Sequence, residues 1–424
     1  MKILCGLLLL ICFYSPAQDL NFLPNFSTSN PLSYQMIRTI EQDKYGFMWF
    51  GTQEGVHRYD GKQFKSFHHD VHDPHSLSSD VVSRMLFDRR DRLWIATRGG
   101  GLNIFSLGGQ KFKHITTNST PQALSHNNVN TLIEDSSGNI WVGTEKGLSI
   151  IRFSETGDII EIKKHFKTDV KAHGLNHDIV HAIVEIGNNE VWVGTHGGGI
   201  SAFDLNGEFK HKVIITDERV DLVNSLIVDK ERQVWIGTVE HGLFKYHLST
   251  GKLSHYVSHR EDESSLPSNT IENVIEDSNG RVWVATDNGL AIYNREEDKF
   301  WQYKHKPSNS FSLINDFVLT FFEDANNMMW IGTMAGVSRW DPKLTSFSQF
   351  NAQKYPSLAN STITDFSQFD DSHIAVSTYS GGIYLLDQAN NEIEQLTLPN
   401  ELLSYRIMSL LVDDEHLWIG TRTA

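Results

Sequence analysis

Three sets of residues in this chain have types and spacings suited to chemistry. The first is His68-His69-Asp70-Val71-His72-Asp73-Pro74-His75, an imidazole and carboxylate mixture that suits zinc, copper or nickel. It falls in a polar connection between repeats, and the equivalent stretch elsewhere, Ser258 to Ser264, carries a different ligand set, so a solvated loop and no metal site are expected. The second is a pair of acidic dipeptides, Glu134-Asp135 and Glu276-Asp277, of the kind that serves glycoside hydrolysis. They recur as turn residues, which explains them without catalysis. No nucleophile-elbow motif supports a Ser-His-Asp arrangement. No catalytic residue and no cofactor is therefore assigned. The third set follows a recurring Thr: Gln53, Arg98, Glu145, His196, Glu240, Asp287 and Met334. If neighbouring repeats form a ring, these gather on one rim as mixed polar groups around a funnel, suited to a sugar or an acidic ligand. Arg98, Glu145, His196, Glu240 and Asp287 are the candidate ligand-binding residues.

The elements that must position them are repeats of one motif: Trp, an aliphatic residue, Gly or Ala, then Thr. Its Trp residues are Trp49, Trp94, Trp141, Trp192, Trp235, Trp283, Trp330 and Trp418, with a copy lacking Trp at Ala375-Val376-Ser377-Thr378. Successive copies lie 45, 47, 51, 43, 48, 47, 45 and 43 residues apart. A period in this range indicates four-stranded propeller blades. An acidic turn ends the first strand, as at Asp43, Asp135 and Asp277, each six residues before its Trp. The Trp strand is second, and its Trp and small third residue share one face, a large-small arrangement that lets blades pack. A Gly turns the chain at Gly55, Gly100, Gly147, Gly198, Gly242, Gly289, Gly336 and Gly381. The third strand carries an aromatic such as Phe105 or Tyr293, and the fourth has apolar residues three apart, such as Phe300 and Tyr303 or Phe347 and Phe350. A connection often ending Leu-x-x-Asn/Asp, as at Leu124 to Asn127, leads to the next unit. No stretch sustains helical apolar spacing, so the fold class is all-β, a propeller of four-stranded antiparallel blades.

Composition agrees. The 424 residues include 10 Trp, 24 Phe and 31 Gly but only 10 Pro, and the formal net charge is −15. That surface disfavours nucleic acid and anionic membrane. Lys2, an apolar run from Ile3 to Tyr14 and Ser15-Pro16-Ala17 form a secretory signal over residues 1–17, with cleavage expected before Gln18. An uncleaved signal anchor is the alternative. Both cysteines, Cys5 and Cys12, lie in that segment. Seven Trp-containing repeats without a break place a seven-bladed propeller at 18–345, closed by a strand over Phe22 to Phe26. An incomplete second propeller would occupy 346–424, and an eight-bladed ring is the alternative. The mid-blade stop at Arg422-Thr423-Ala424 is expected of a fragment or a shortened reading frame.

Two stretches carry a family resemblance: Gln42 to Thr52 and Asp91 to Leu102. They resemble the two-component regulator propeller repeat. The resemblance implies the periplasmic sensor of an inner-membrane receptor, with a β-sandwich, a membrane helix and a histidine kinase, hybrid or diguanylate cyclase output downstream. It also implies a small-molecule or carbohydrate ligand and a homodimer in the intact receptor. A secreted propeller enzyme acting on polysaccharide and a secreted protein-binding scaffold are the alternatives.

Overall fold

The spacing of six between Asp and Trp has a physical cause. One oxygen of Asp135 accepts the backbone N–H groups of Ser137 and Asn139, both at 2.9 Å, which shapes the turn. The other accepts the indole N–H of Trp141 at 2.7 Å. The same arrangement joins Trp49 to Asp43 (2.9 Å), Trp94 to Asp88 (2.8 Å) and Trp235 to Asp229 (2.9 Å). It recurs between Trp283 and Asp277 (2.9 Å) and between Trp330 and Asp324 (2.8 Å). All six carboxylates are buried. A buried carboxylate is tolerated only when its oxygens are hydrogen-bonded, so turn and indole are mutually required. The fourth repeat has Ile186 at the Asp position, and there Trp192 donates to Glu190 instead, at 2.7 Å.

The computed structural model describes residues 20, 22–23, 30–107, 111–166, 174–215, 217, 219–309, 311–343, 355, 358, 362–370, 372–379, 382–387, 392–399, 406–413 and 416–422. The proposed signal segment, Phe26, Phe347, Phe350 and Gly381 lie outside them. The described residues form nine antiparallel sheets and contain no α-helix. The chain divides into two compact units, Met1–Pro342 and Lys343–Ala424. In the first, seven sheets form blades in chain order. Their inner strands are Thr39–Gln42, Val82–Phe87, Val129–Glu134, Val180–Gly187, Val223–Val228, Ile271–Glu276 and Val318–Glu323. Each inner strand packs on the next, and the seventh packs on the first. The ring therefore closes at seven blades, not eight.

Packing between blades follows the large-small arrangement. A Cβ added at Gly51 would lie 2.6 Å from the side chain of Val82, the first residue of the next inner strand. Gly143 meets Val180 at 2.6 Å, Gly194 meets Val223 at 2.5 Å and Gly237 meets Ile271 at 2.6 Å in the same way. At closure, Gly332 of blade 7 would meet the Ile37 carbonyl of blade 1 at 2.7 Å. The motif Trp fills the rest of each interface. Trp49 packs with Val82, Met85 and Phe105 of blade 2, and its ring centroid lies 5.7 Å from that of Phe105. An apolar cluster of this kind joins blades 7 and 1 through Trp330, Ile37 and Phe50. The described residues of the N-terminal segment lie against blade 7. Phe22 donates to the Phe311 carbonyl at 2.9 Å and Leu23 to the Arg339 carbonyl at 2.7 Å, beside the strand Gly336–Trp340. Leu20 and Phe22 enter the cluster that holds Trp283 and Trp340.

Two turn assignments are corrected. The left-handed glycines that open the third strand are Gly101 (φ 75) and Gly199 (φ 67), not Gly100 and Gly198, because these hairpins hold one more residue. The motif Thr marks the place, since its hydroxyl donates to the carbonyl of Gly101 or Gly199, as Thr52 does to Gly55. In the second unit the sheet of Ile363–Gln368, His373–Thr378, Gly382–Asp387 and Glu392–Leu396 packs on the pair Arg406–Val412 and Leu417–Arg422. Trp418 keeps its carboxylate partner, Asp413, at 2.7 Å, but is 58% exposed.

Replacing Trp141 with Ala is expected to cost about 3–5 kcal/mol, read by urea unfolding. A change below about 0.5 kcal/mol, usual for surface positions, would show that the indole does not hold the blades together. A chain ending at Pro342 is expected to unfold in one cooperative transition. A broad, non-cooperative transition would mean that the ring depends on the second unit.

Candidate functional site

The inner strands share a defect at one position. Val82 faces Thr97 and Arg84 faces Ala96, so Ser83 between them has no partner across the ladder. The same bulge frees Asn130, His181, Asn224, Glu272 and Leu319. Arg38 takes the corresponding place in blade 1, following Ile37 as Ser83 follows Val82. A bulge bends the strand and re-aims the extra side chain. Here all seven of these residues line one cavity of about 400 Å³ on the ring axis, so every blade contributes to it.

Some of them lace the ring together. The Asn130 amide donates to the Val180 carbonyl at 3.1 Å and that of Asn224 to the Ile271 carbonyl at 2.8 Å, each on the next blade. The Ser83 hydroxyl donates to the Val129 carbonyl likewise. One residue further along, the Thr39 hydroxyl accepts from the Met85 backbone at 3.0 Å and that of Ser225 from Val274 at 3.1 Å. The remaining groups are charged or titratable: Arg38, Arg84, Arg98, His181, His196 and Glu272. The rings of His181 and His196 stack at 3.8 Å between centroids and 3° between planes. Burial holds His181 down to about 3, with His196 and Arg98 adding to the effect. Burial also lowers His196, opposed by Glu145. Glu272 is raised by burial, against the pull of Arg38. Deeper along the first inner strand, burial pushes Glu41 up to about 8, opposed by Arg84.

Of the rim residues predicted to bind, Arg98 and His196 line the cavity. Glu145, Glu240 and Asp287 are not among its walls. Glu145 acts on His196 and Asp287 on Glu272 through their charge. In the fifth repeat the residue directly after the motif Thr is Val239, which lines the cavity, whereas Glu240 is exposed with φ 68. Sequence reasoning missed the bulge tier. Its signal is a variable residue after the β-branched residue that opens each unit, as in Val82-Ser83, Val180-His181 and Ile271-Glu272. In the His-rich loop, one ring nitrogen of His69 bonds the Leu77 carbonyl at 2.6 Å, as His305 bonds Leu313 at 2.5 Å in blade 6. That histidine closes a loop, and no cluster of metal-ligating groups occurs among the described residues.

Comparison with known proteins places this architecture. Residues 31–54, 76–99, 123–146, 265–288 and 312–335 match the two component regulator propeller family. The extracellular domain described as that of a hybrid two component system from B. thetaiotaomicron aligns with 95% of this chain at 25% identity and a TM-score of 0.69. A second such domain from B. thetaiotaomicron aligns with 95% at 20% identity and a TM-score of 0.60, a likeness of fold alone. Over 63 residues, 15% of this chain and 5% of the relative, the sequence is 38% identical to Histidine kinase P4 of Formosa agariphila. The chain spans about half the length of the solved extracellular domains, 52% and 51%, and a small part of the kinase. A streptogramin B lyase also shares the fold, at 15% identity. The family matches fall on propeller repeats.

The buried imidazoles give a pH dependence with a definite sign. The unfolded chain takes a proton on His181 near pH 6.5, whereas the folded chain refuses it until about pH 3. Stability is therefore lost as pH falls from about 6.5 toward 3, by up to about 1.4 kcal/mol per pH unit for one proton. His181→Gln is expected to flatten this acid limb in urea titrations at pH 4 to 6.5. An unchanged slope would show that His181 is not held neutral by the ring.

Proposed function

We infer that this chain, built from two component regulator propeller repeats, is the ligand-sensing propeller region of an extracytoplasmic receptor. The observation that carries the reading is its likeness, over 95% of its length, to the extracellular domain of a hybrid two component system. The axial cavity supports it from physical chemistry. A concave site of some 400 Å³ with convergent polar groups suits a small molecule or a carbohydrate unit. The candidate secretory segment agrees with a periplasmic position, and the intact receptor would be anchored in the inner membrane. The local identity to a histidine kinase favours a kinase output over a diguanylate cyclase. Signalling across a membrane by such a receptor would work through a homodimer.

Two measurements test the reading. The periplasmic fraction of an expressing cell is expected to hold a chain beginning at Gln18; a chain found only in the cytoplasm with Met1 retained counts against it. A panel of mono- and oligosaccharides is expected to contain at least one class that raises the thermal midpoint. A ligand at 100 times its Kd adds about 2.7 kcal/mol. His196→Ala should abolish that gain, and a gain untouched by this substitution would place sensing elsewhere.

A further inference from the structure

We propose that the axial cavity binds a small polyhydroxylated anion, held by the guanidinium groups of Arg38, Arg84 and Arg98. The inference deepens the sensing reading and rests on it for why a ligand is bound at all. The cavity holds positive charge without partners. Elsewhere in this chain arginines meet carboxylates directly: Arg92 with Asp88 at 2.6 Å, Arg281 with Asp277 at 2.7 Å, Arg295 with Glu276 at 3.0 Å. The three cavity arginines form no ion pair and no side-chain hydrogen bond among the described residues, and Arg38 Nε is buried without a partner. Arg98 acts electrostatically on Arg38 and on His181, so the positive groups converge. They do so in a chain whose formal net charge is −15.

The neighbouring acids do not cancel this charge. Glu272 influences Arg38 and Glu41 influences Arg84, but neither pair comes within ion-pair distance. Burial raises both acids, and Glu41, at about 8, keeps its proton near neutrality. An anion in a low-dielectric cleft facing uncompensated guanidinium groups is bound far more strongly than in water, and a carboxylate or sulfate fits their planar fork.

Other groups in the cavity call for hydroxyls beside the anionic group. Asn130 Oδ1 and His196 Nε2 are buried and unpartnered in the same cavity. The Asn130 amide is already committed to the Val180 carbonyl, so its oxygen is left as an acceptor. An acceptor of this kind calls for a hydroxyl donor, which a bare inorganic anion lacks. The stacked pair His181 and His196 adds a flat wall suited to the less polar face of a sugar-sized ring.

Calorimetric titration of the chain with D-glucuronate, its neutral amide glucuronamide, glucose and acetate separates these contributions. Glucuronate is expected to bind at least tenfold more tightly than glucuronamide, glucose or acetate. Arg84→Met and Arg98→Gln are each expected to weaken glucuronate at least tenfold. Arg98 stands exposed at the rim, so its variant should keep the wild-type thermal midpoint and the test survives if Arg84→Met fails to fold. Equal binding of glucuronate and glucuronamide, or full affinity in Arg98→Gln, would overturn the anion assignment. Acetate binding as tightly as glucuronate would overturn the hydroxyl assignment. No binding by glucuronate, galacturonate or glucose 6-sulfate would overturn the whole. Glucuronate binding without any response in the membrane receptor would instead refute sensing and leave the anion site standing.

Discussion

Everything in the ring depends on a carboxylate that serves two masters. Asp135 closes the turn between the first and second strands and, from its other oxygen, fixes the Trp141 indole. A hydrogen bond to a charged group contributes about 1.5–3 kcal/mol, and loss of one partner leaves the other buried and unsatisfied. Turn geometry and indole position are thereby one variable. With the indole fixed, its face meets the next blade, and the small residue two positions on leaves room for that blade's β-branched residue. A constant spacing between blades follows, and a ring can close only if that spacing repeats. Where Ile186 replaces the Asp, Glu190 supplies the acceptor from the other side of the hairpin and the geometry is kept.

The bulge separates the scaffold from the site. Without it, alternation along the inner strand would send the residue after Val82 or Val180 to the face opposite its neighbours, against one blade or the other. With two residues set against one, the ladder resumes in register at Arg84 or Ala182, and the extra residue is released toward the axis. The ring thus gains an inner surface whose side chains are unconstrained by blade packing, while the flanking β-branched residue stays buried.

This division explains what could be read from the sequence. The blades were legible because burial and turn chemistry impose the same residue types on each unit: Trp141, Gly143 and Thr144 have equivalents in every blade. Of the strand expected over Phe22 to Phe26, the described residues Phe22 and Leu23 lie against blade 7. The extra residue in the hairpins before Gly101 and Gly199 was not legible, because either glycine of a run satisfies the pattern and only the Thr97 or Thr195 hydroxyl bond selects one. Of the five candidate rim residues, two line the cavity. Position after the motif Thr located Arg98 and His196 but could not say that Asp287 would stand outside the cavity wall. The bulge residues were invisible because a bulge shifts ladder pairing without changing composition.

The axial residues differ from blade to blade where the walls do not. The position before the bulge holds Ile37, Val82, Val129, Val180, Val223, Ile271 and Val318, all fully buried and all β-branched. The bulge position holds Arg, Ser, Asn, His, Asn, Glu and Leu at the adjacent residues. Stability accounts for three of these, since Ser83, Asn130 and Asn224 tie one blade to the next. It accounts less well for Arg38, His181 and Glu272, which face burial penalties: Asn224 of the intervening blade bonds His181 and Glu272, but the buried Arg38 Nε has no partner. Serine or asparagine would fit there as well as in the neighbouring blades. Unpaid burial of this kind, in a scaffold that satisfies its polar groups elsewhere, is expected where another molecule supplies the missing partner. Regularity in the blade walls and variety at the axial position are the contrast on which the proposed anion site rests.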